Sequence, residues 1–229
     1  MTVWNLRELR ELIEKIHGPE QLQKAISHIN SVDWKIRAAS YHSYAASNAF
    51  SGVFEGVVDS QFSVMKMMFS NGEEASDFRE ARFIYEANVI ACAQAMHSVA
   101  DIISHVILDS LALKGVDEET LNLKVVHKAL SSGDLKQRIA KVMGMTKFRY
   151  LHDFVNTSKH VRLVDAEYNV DLTGTAKHAH GVRFKQFECK GRLHGAKWGE
   201  EFLLELRQLS IEYVGLGQEL NKHLISNDS

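Results

Sequence analysis

Proline, cysteine and net charge are all scarce in this chain. It has one proline, two cysteines and a formal charge of −2 from 27 basic and 29 acidic side chains in 229 residues. One proline lies far below the usual share of about 5%, which excludes a loop-rich chain and favours long uninterrupted helices. Cys92 and Cys189 have no paired spacing, so neither a disulfide scaffold nor a zinc finger is encoded, and two reduced thiols are expected. A pI near 6.6 excludes a global field that would steer the protein to nucleic acid, so any such contact must come from a local patch. No apolar run approaches the ~20 residues needed to cross a bilayer. The first residues carry acidic and basic side chains and no apolar core of a signal peptide. The expected setting is the cytoplasm, without a membrane partner.

With 45% hydrophobic and 24% charged residues, the chain can fill a core over its whole length, and one domain spanning 1–229 is expected. Leu6, Leu9, Leu12, Ile13 and Ile16 repeat at helical spacing up to Gly18-Pro19, and a second short helix follows, placing N-terminal helices over 1–31. Ser31 or Asp33 can cap a longer helix from Trp34 to Phe69, in which Ala46, Phe50, Val53, Val57, Val64 and Met68 step by threes and fours. Asn71-Gly72 marks a turn, after which Tyr85, Val89, Cys92, Met96, Val99, Ile103 and Val106 continue the same stepping. Two shorter helices are expected over 117–131 and 134–143, and another over 146–160, so the bundle helices occupy 34–160.

From Val164 the period changes to two. Val164, Ala166, Tyr168, Val170 and Leu172 alternate with polar residues, and Val182 to Lys185 alternate again. Folding these segments about Lys177 sets Asp171 opposite Arg183, with a bulge at Gln186-Phe187, so a β-hairpin is expected over 162–190. Phe202, Leu206, Leu209, Tyr213, Leu216 and Leu220 then define a last bundle helix over 199–225. The fold class is mainly α: an antiparallel helical bundle with a small β-hairpin before the C-terminal helix.

Several groupings could carry chemistry. His97, Asp101 and His105 recur every four residues, a spacing that can share a divalent metal, although histidines bordering an apolar stripe more often hydrogen-bond within the fold. Glu55 and Asp59 have the same spacing, but the Glu-x-x-His pairs of di-iron bundles are missing. His178, His180 and His194 cluster around the hairpin, where a solvated loop is the simplest expectation. The nearby glycines spell no phosphate-binding fingerprint, and Gly-x-Ser-x-Gly, Cys-x-x-Cys and His-Glu-x-x-His are all missing. Neither a metal nor another cofactor is expected.

The most informative stretch is Lys147–Arg162. At 3.6 residues per turn Arg149, His152, Asn156, Lys159 and His160 share one face, while Phe148, Leu151 and Val155 share another. Such a face can hold phosphate through its cations and move protons through an imidazole with an ordinary pKa of about 6.5. Asn156, Lys159 and His160 are the candidate catalytic residues; Arg149, His152 and Arg162 are candidate substrate-binding residues. The competing structural account has Asn156 and His160 hydrogen-bonding to the hairpin and fixing how the sheet docks.

Phe154-Val155-Asn156-Thr157-Ser158-Lys159-His160 late in such a bundle resembles the HEPN superfamily of α-helical domains. Catalytic members of that superfamily use an arginine, a polar residue and a histidine, paired across a two-fold dimer interface, as metal-independent endoribonucleases in toxin and defence systems. The resemblance implies that Asn156 fills the polar position and His160 the histidine position, with a homodimer and RNA or a nucleotide as partners. Val155 stands where the arginine belongs, and Arg149 lies about 10 Å before Asn156 along the helix axis. A non-catalytic helical interaction module, with a partner protein, is the other reading the resemblance allows.

Overall fold

A computed structural model of the chain describes residues 3–55, 61–175 and 178–227. Val57, Asp59 and Lys177, each used above, lie outside the described residues. The fold is mainly α, with a small antiparallel β element before the C-terminal helix. The helices are α1 (Leu6–His17), α2 (Pro19–Asn48), α3 (Gln61–Phe69), α4 (Glu73–Ser110), α5 (Leu123–Ala129), α6 (Asp134–Gly144), α7 (Thr146–His160) and α8 (Gly199–Asn227). The strands are β1 (Ala166–Val170), β2 (His180–Phe184), β3 (Phe187–Cys189), β4 (Arg192–His194) and β5 (Lys197–Trp198).

Three helix boundaries differ from the expectation. No break occurs at Ser31 or Asp33: the Ser31 hydroxyl donates to the Ser27 carbonyl at 2.8 Å, as a mid-helix serine does, and α2 continues to Asn48. The expected helix from Trp34 to Phe69 is instead two. The Asn48 amide turns back onto the Tyr44 carbonyl at 2.9 Å, and turns follow through Ser51. The first part of 117–131 is a 3-10 turn (Glu118–Thr120), because Asn122 accepts from the backbone N–H groups of Lys124 and Val125 and caps α5 there.

The described chain divides into two compact units, Met1–Ala38 with Ala95–His152 and Arg207–Ser229, and Ala39–Gln94 with Asp153–Leu206. In the first unit, Leu9, Ile13, Ile29, Ile103, Ile107, Leu135, Ile139 and Tyr213 are fully buried. The N-terminal segment is tied to α8: Trp4 Nε1 donates to Asn221 Oδ1 at 3.0 Å, and Asn221 Nδ2 donates to Glu8 Oε2 at 2.7 Å. Asn221, itself buried, thereby satisfies both sides of its amide.

The second unit holds all five strands. β1, β2 and β5 form an antiparallel sheet in the order β1-β2-β5, and β3 pairs with β4 in a separate ribbon. The hairpin register differs from the expected one. Glu167, not Asp171, lies opposite Arg183, and Glu167 also meets the Lys185 ammonium at 3.2 Å. A hydrogen bond from Asn169, then the Lys185 contact and, least, the Arg183 charge hold the Glu167 carboxyl below the usual range. Asp171 instead accepts from the Thr173 N–H and hydroxyl, which closes the loop earlier than a fold about Lys177 would. In place of a bulge at Gln186-Phe187, Lys185-Gln186 separates β2 from β3 and Phe187 opens β3. Arg82 of α4 anchors β1 by donating to the Ala166 carbonyl at 2.8 Å.

Neither cysteine forms a disulfide; Cys92 is buried and Cys189 half-buried. α4 is long and apolar enough to cross a membrane by length and composition alone, and more than half of its most apolar stretch is buried in the fold.

Candidate functional site

α7 ends where the sequence pattern places its end. The N–H groups of Val161 and Arg162 both donate to the Thr157 carbonyl at 3.0 Å, closing the last turn. Lys159 and His160 in that turn oppose the partial negative charge of the helix C-terminus, which by itself explains cations there. The two units share the predicted site residues. Arg149 and His152 belong to the first unit, whereas Asn156, Lys159, His160 and Arg162 belong to the second.

In the first unit Arg149 and His152 are both exposed. The His152 ring lies 5.2 Å from that of His97, whose Nδ1 is 3.5 Å from Asp101. His105 does not join them. Its ring stacks on His28 at 4.8 Å, and His28 Nδ1 lies 2.8 Å from Asp109 Oδ2. The face of His97, Asp101 and His105, weighed above as a possible metal site, is therefore split into two pairs. Among the described residues no group of three or more His, Cys, Asp or Glu side chains is arranged to hold a metal ion.

In the second unit Lys159, His160 and Arg162 are exposed and Asn156 is half-buried. Leu151 and Val155, on the opposite face, are buried. The sequence reading passed over Asp153, the one acidic residue of α7. It is 7% exposed and accepts from Arg192 Nη1 at 2.8 Å, with His194 Nε2 at 2.7 Å. By helical geometry Asp153 lies within about 60° of both Asn156 and His160 around the axis. Asp153 thus grips the β3–β4 ribbon, a docking contact of α7 that the structural account did not name. A lone carboxylate among the cations of α7 was the available signal.

A second feature of this unit was not foreseen. A cavity of about 290 Å³ is walled by Phe50, Phe54, Tyr85, Tyr168 and Trp198, with Ser47 and Glu200 among its polar groups. His178, His180 and His194 are not a solvated loop. His180 Nδ1 meets the Tyr168 hydroxyl at 2.7 Å, His178 Nδ1 lies 3.1 Å from Glu200 Oε2, and His194 holds Asp153. All three are half-buried: His178 and His180 line the cavity, and His194 stacks on Phe187 of β3.

Burial pushes the Tyr85 phenol up, and the Glu200 carboxylate adds to it; burial does the same to Tyr213 in the first unit, where Asp101 adds. The unfolded phenols ionise near pH 10, so the contribution of each to stability is whole below that pH. It then falls by about 1.4 kcal/mol per pH unit as pH rises towards the higher native value. Absorbance at 295 nm is expected to show that Tyr85 and Tyr213 ionise only on unfolding, with urea midpoints falling between pH 10 and 11. Ionisation of all six phenols with the fold intact would overturn this assignment.

No family model, no curated protein and no solved structure matches the chain.

Proposed function

We propose that this chain is a HEPN-like protein that binds RNA or a nucleotide, as a homodimer, through the exposed end of α7. Asn156, Lys159, His160 and Arg162 form the contact face. The observation that supports this reading is the charge balance. The only carboxylate of α7, Asp153, is already engaged by Arg192 and His194, so the cations of the last turn reach solvent without an acidic neighbour on their own helix. Phosphates fit such a face, and single-stranded RNA offers them in series.

Binding without cleavage is favoured over a ribonuclease. Val155, at the position the HEPN resemblance gives to arginine, is fully buried. A guanidinium placed there would have to be taken out of water without a partner.

The test is fluorescence anisotropy of a labelled single-stranded RNA in EDTA, between 50 and 200 mM salt. Wild-type protein is expected to bind, and the triple variant K159A/H160A/R162A to bind at least about 10-fold more weakly with an unchanged melting temperature. The slope of log affinity against log salt should also flatten by about 1.4, or roughly 0.7 for each of the two permanent cations removed. Equal binding by both proteins overturns the proposal. Cleavage in EDTA that His160→Ala abolishes would extend binding to catalysis.

A further inference from the structure

We propose that the aromatic cavity of the unit formed by Ala39–Gln94 and Asp153–Leu206 binds a small organic cation of the alkylammonium class. Its charged head would sit against the rings of Phe50, Phe54, Tyr85, Tyr168 and Trp198, with the Glu200 carboxylate as counter-charge. This site is separate from the basic end of α7 and takes a ligand of the opposite charge.

Three observations carry the inference. The first is the density of π faces. Phe50 alone lies 5.7 Å from Phe54, 5.9 Å from Tyr85 and 5.3 Å from Tyr168, ring centre to ring centre, and all four line the same cavity. Rings present a negative face, and a cation held near several of them out of water gains far more than one beside a single exposed ring. Trp198 is already used this way within the protein, since the Arg183 guanidinium lies over its ring at 5.6 Å.

The second is charge. Glu200 is the carboxylate of the lining, and among the described lining residues there is no lysine or arginine. The two histidines of the lining are engaged by Glu200 and by the Tyr168 hydroxyl, so a phosphate or carboxylate ligand would meet a like charge with no permanent cation to offset it, which disfavours nucleotides. The third is preorganisation. The Tyr168 hydroxyl is held by His180, and a Cβ added at Gly199 would stand 2.7 Å from the Tyr85 ring and hydroxyl, so the absence of a side chain at 199 lets Tyr85 pack there. Rings fixed before binding lose little entropy when a ligand enters. A volume of about 290 Å³ is at the small end of ligand pockets and suits a trimethylammonium group with its short tail.

The experiment compares choline with its neutral isostere, 3,3-dimethyl-1-butanol, on the full chain by following the Trp198 indole N–H resonance. Choline is expected to shift it saturably and to bind at least about 10-fold tighter than the alcohol. Glu200→Gln, at a side chain 78% exposed, should weaken choline by roughly 2- to 5-fold, the range of a solvated ion pair, while leaving the alcohol and the melting temperature unchanged. Phe54→Leu should weaken choline as well. Equal binding of the two probes would identify a plain apolar pocket and overturn the proposal, as would no saturable shift with choline. Because the first comparison uses wild-type protein, it stands even if a variant folds poorly.

Discussion

Phe154→Ala is expected to lower the stability of the protein by about 3–5 kcal/mol, the range for emptying a fully buried phenylalanine site. Phe154 is 0% exposed and sits at the centre of an aromatic cluster. Its ring centre lies 4.9 Å from Phe202 of α8, 5.3 Å from Phe184 of β2 and 5.9 Å from Phe187 of β3, all at edge-to-face angles. Each such pair adds about 0.5–1.5 kcal/mol to what burial alone contributes. Because the three partners come from three different elements, no single neighbour can move in to fill the space. Phe154→Leu, which keeps most of the volume, should cost less than half as much. Urea unfolding followed by circular dichroism checks both, with the m-value reporting whether the unfolding stays cooperative. A loss below about 1 kcal/mol for the alanine variant would remove Phe154 as the organising residue of its unit.

The same helix shows what a sequence pattern reveals and what it hides. The span Thr146–His160 and its two faces were legible, because a 3.6-residue period survives any tertiary arrangement that buries one face. Of the three residues of its apolar face, Leu151 and Val155 are buried and Phe148 is half-buried. Which polar residue of the other face would be consumed by the fold was not legible. That depended on where Arg192 and His194 arrive, some forty residues later, and no local pattern encodes it. The hairpin register was lost for a related reason. Alternation tells which residues share a face but leaves the pairing open to shifts by two, and the Asp171–Thr173 turn contacts decided it. The aromatic cavity draws its walls from α2 and the loop after it, α4, β1, β2, β5 and the start of α8, segments that are far apart in sequence. Only their convergence creates the site.

The long helices mark the other limit. α2 reads continuously through Ser31 and Asp33 because both residues are tolerated mid-helix when one hydroxyl can turn back on the preceding turn, and Val32 between them is fully buried. Capping residues announce a helix start only where the flanking backbone is free to leave the helix. Here burial on both sides outweighed a weak local preference of a few tenths of a kcal/mol.

Gly217→Ala is the second large effect expected, a loss of about 2 kcal/mol or more, at a position where helix propensity alone points the other way. In an exposed helix that change stabilises by about 0.8–1 kcal/mol. In α8, however, a methyl group at 217 would overlap the indole of Trp4, which is 6% exposed and has no vacant space to turn into. Displacing the ring costs roughly 1–3 kcal/mol in overpacking. It also breaks the Trp4 Nε1 to Asn221 Oδ1 bond and strands a buried amide, at about 1–3 kcal/mol more. Gly215, two residues earlier in the same helix, is the internal control. A methyl there meets the end of the Arg138 side chain, which is flexible, partly exposed and able to swing aside at the cost of loosening its ion pair with Glu212. Gly215→Ala should therefore change stability by no more than about 0.5 kcal/mol, with the helix gain offsetting the weakened pair. Thermal melts monitored by tryptophan fluorescence separate the two, since only Gly217→Ala should also move the Trp4 emission towards that of a solvated indole. If Gly217→Ala melts at or above the wild-type temperature, the close packing of the N-terminal segment on α8 cannot be as tight as the Trp4–Asn221 contact requires.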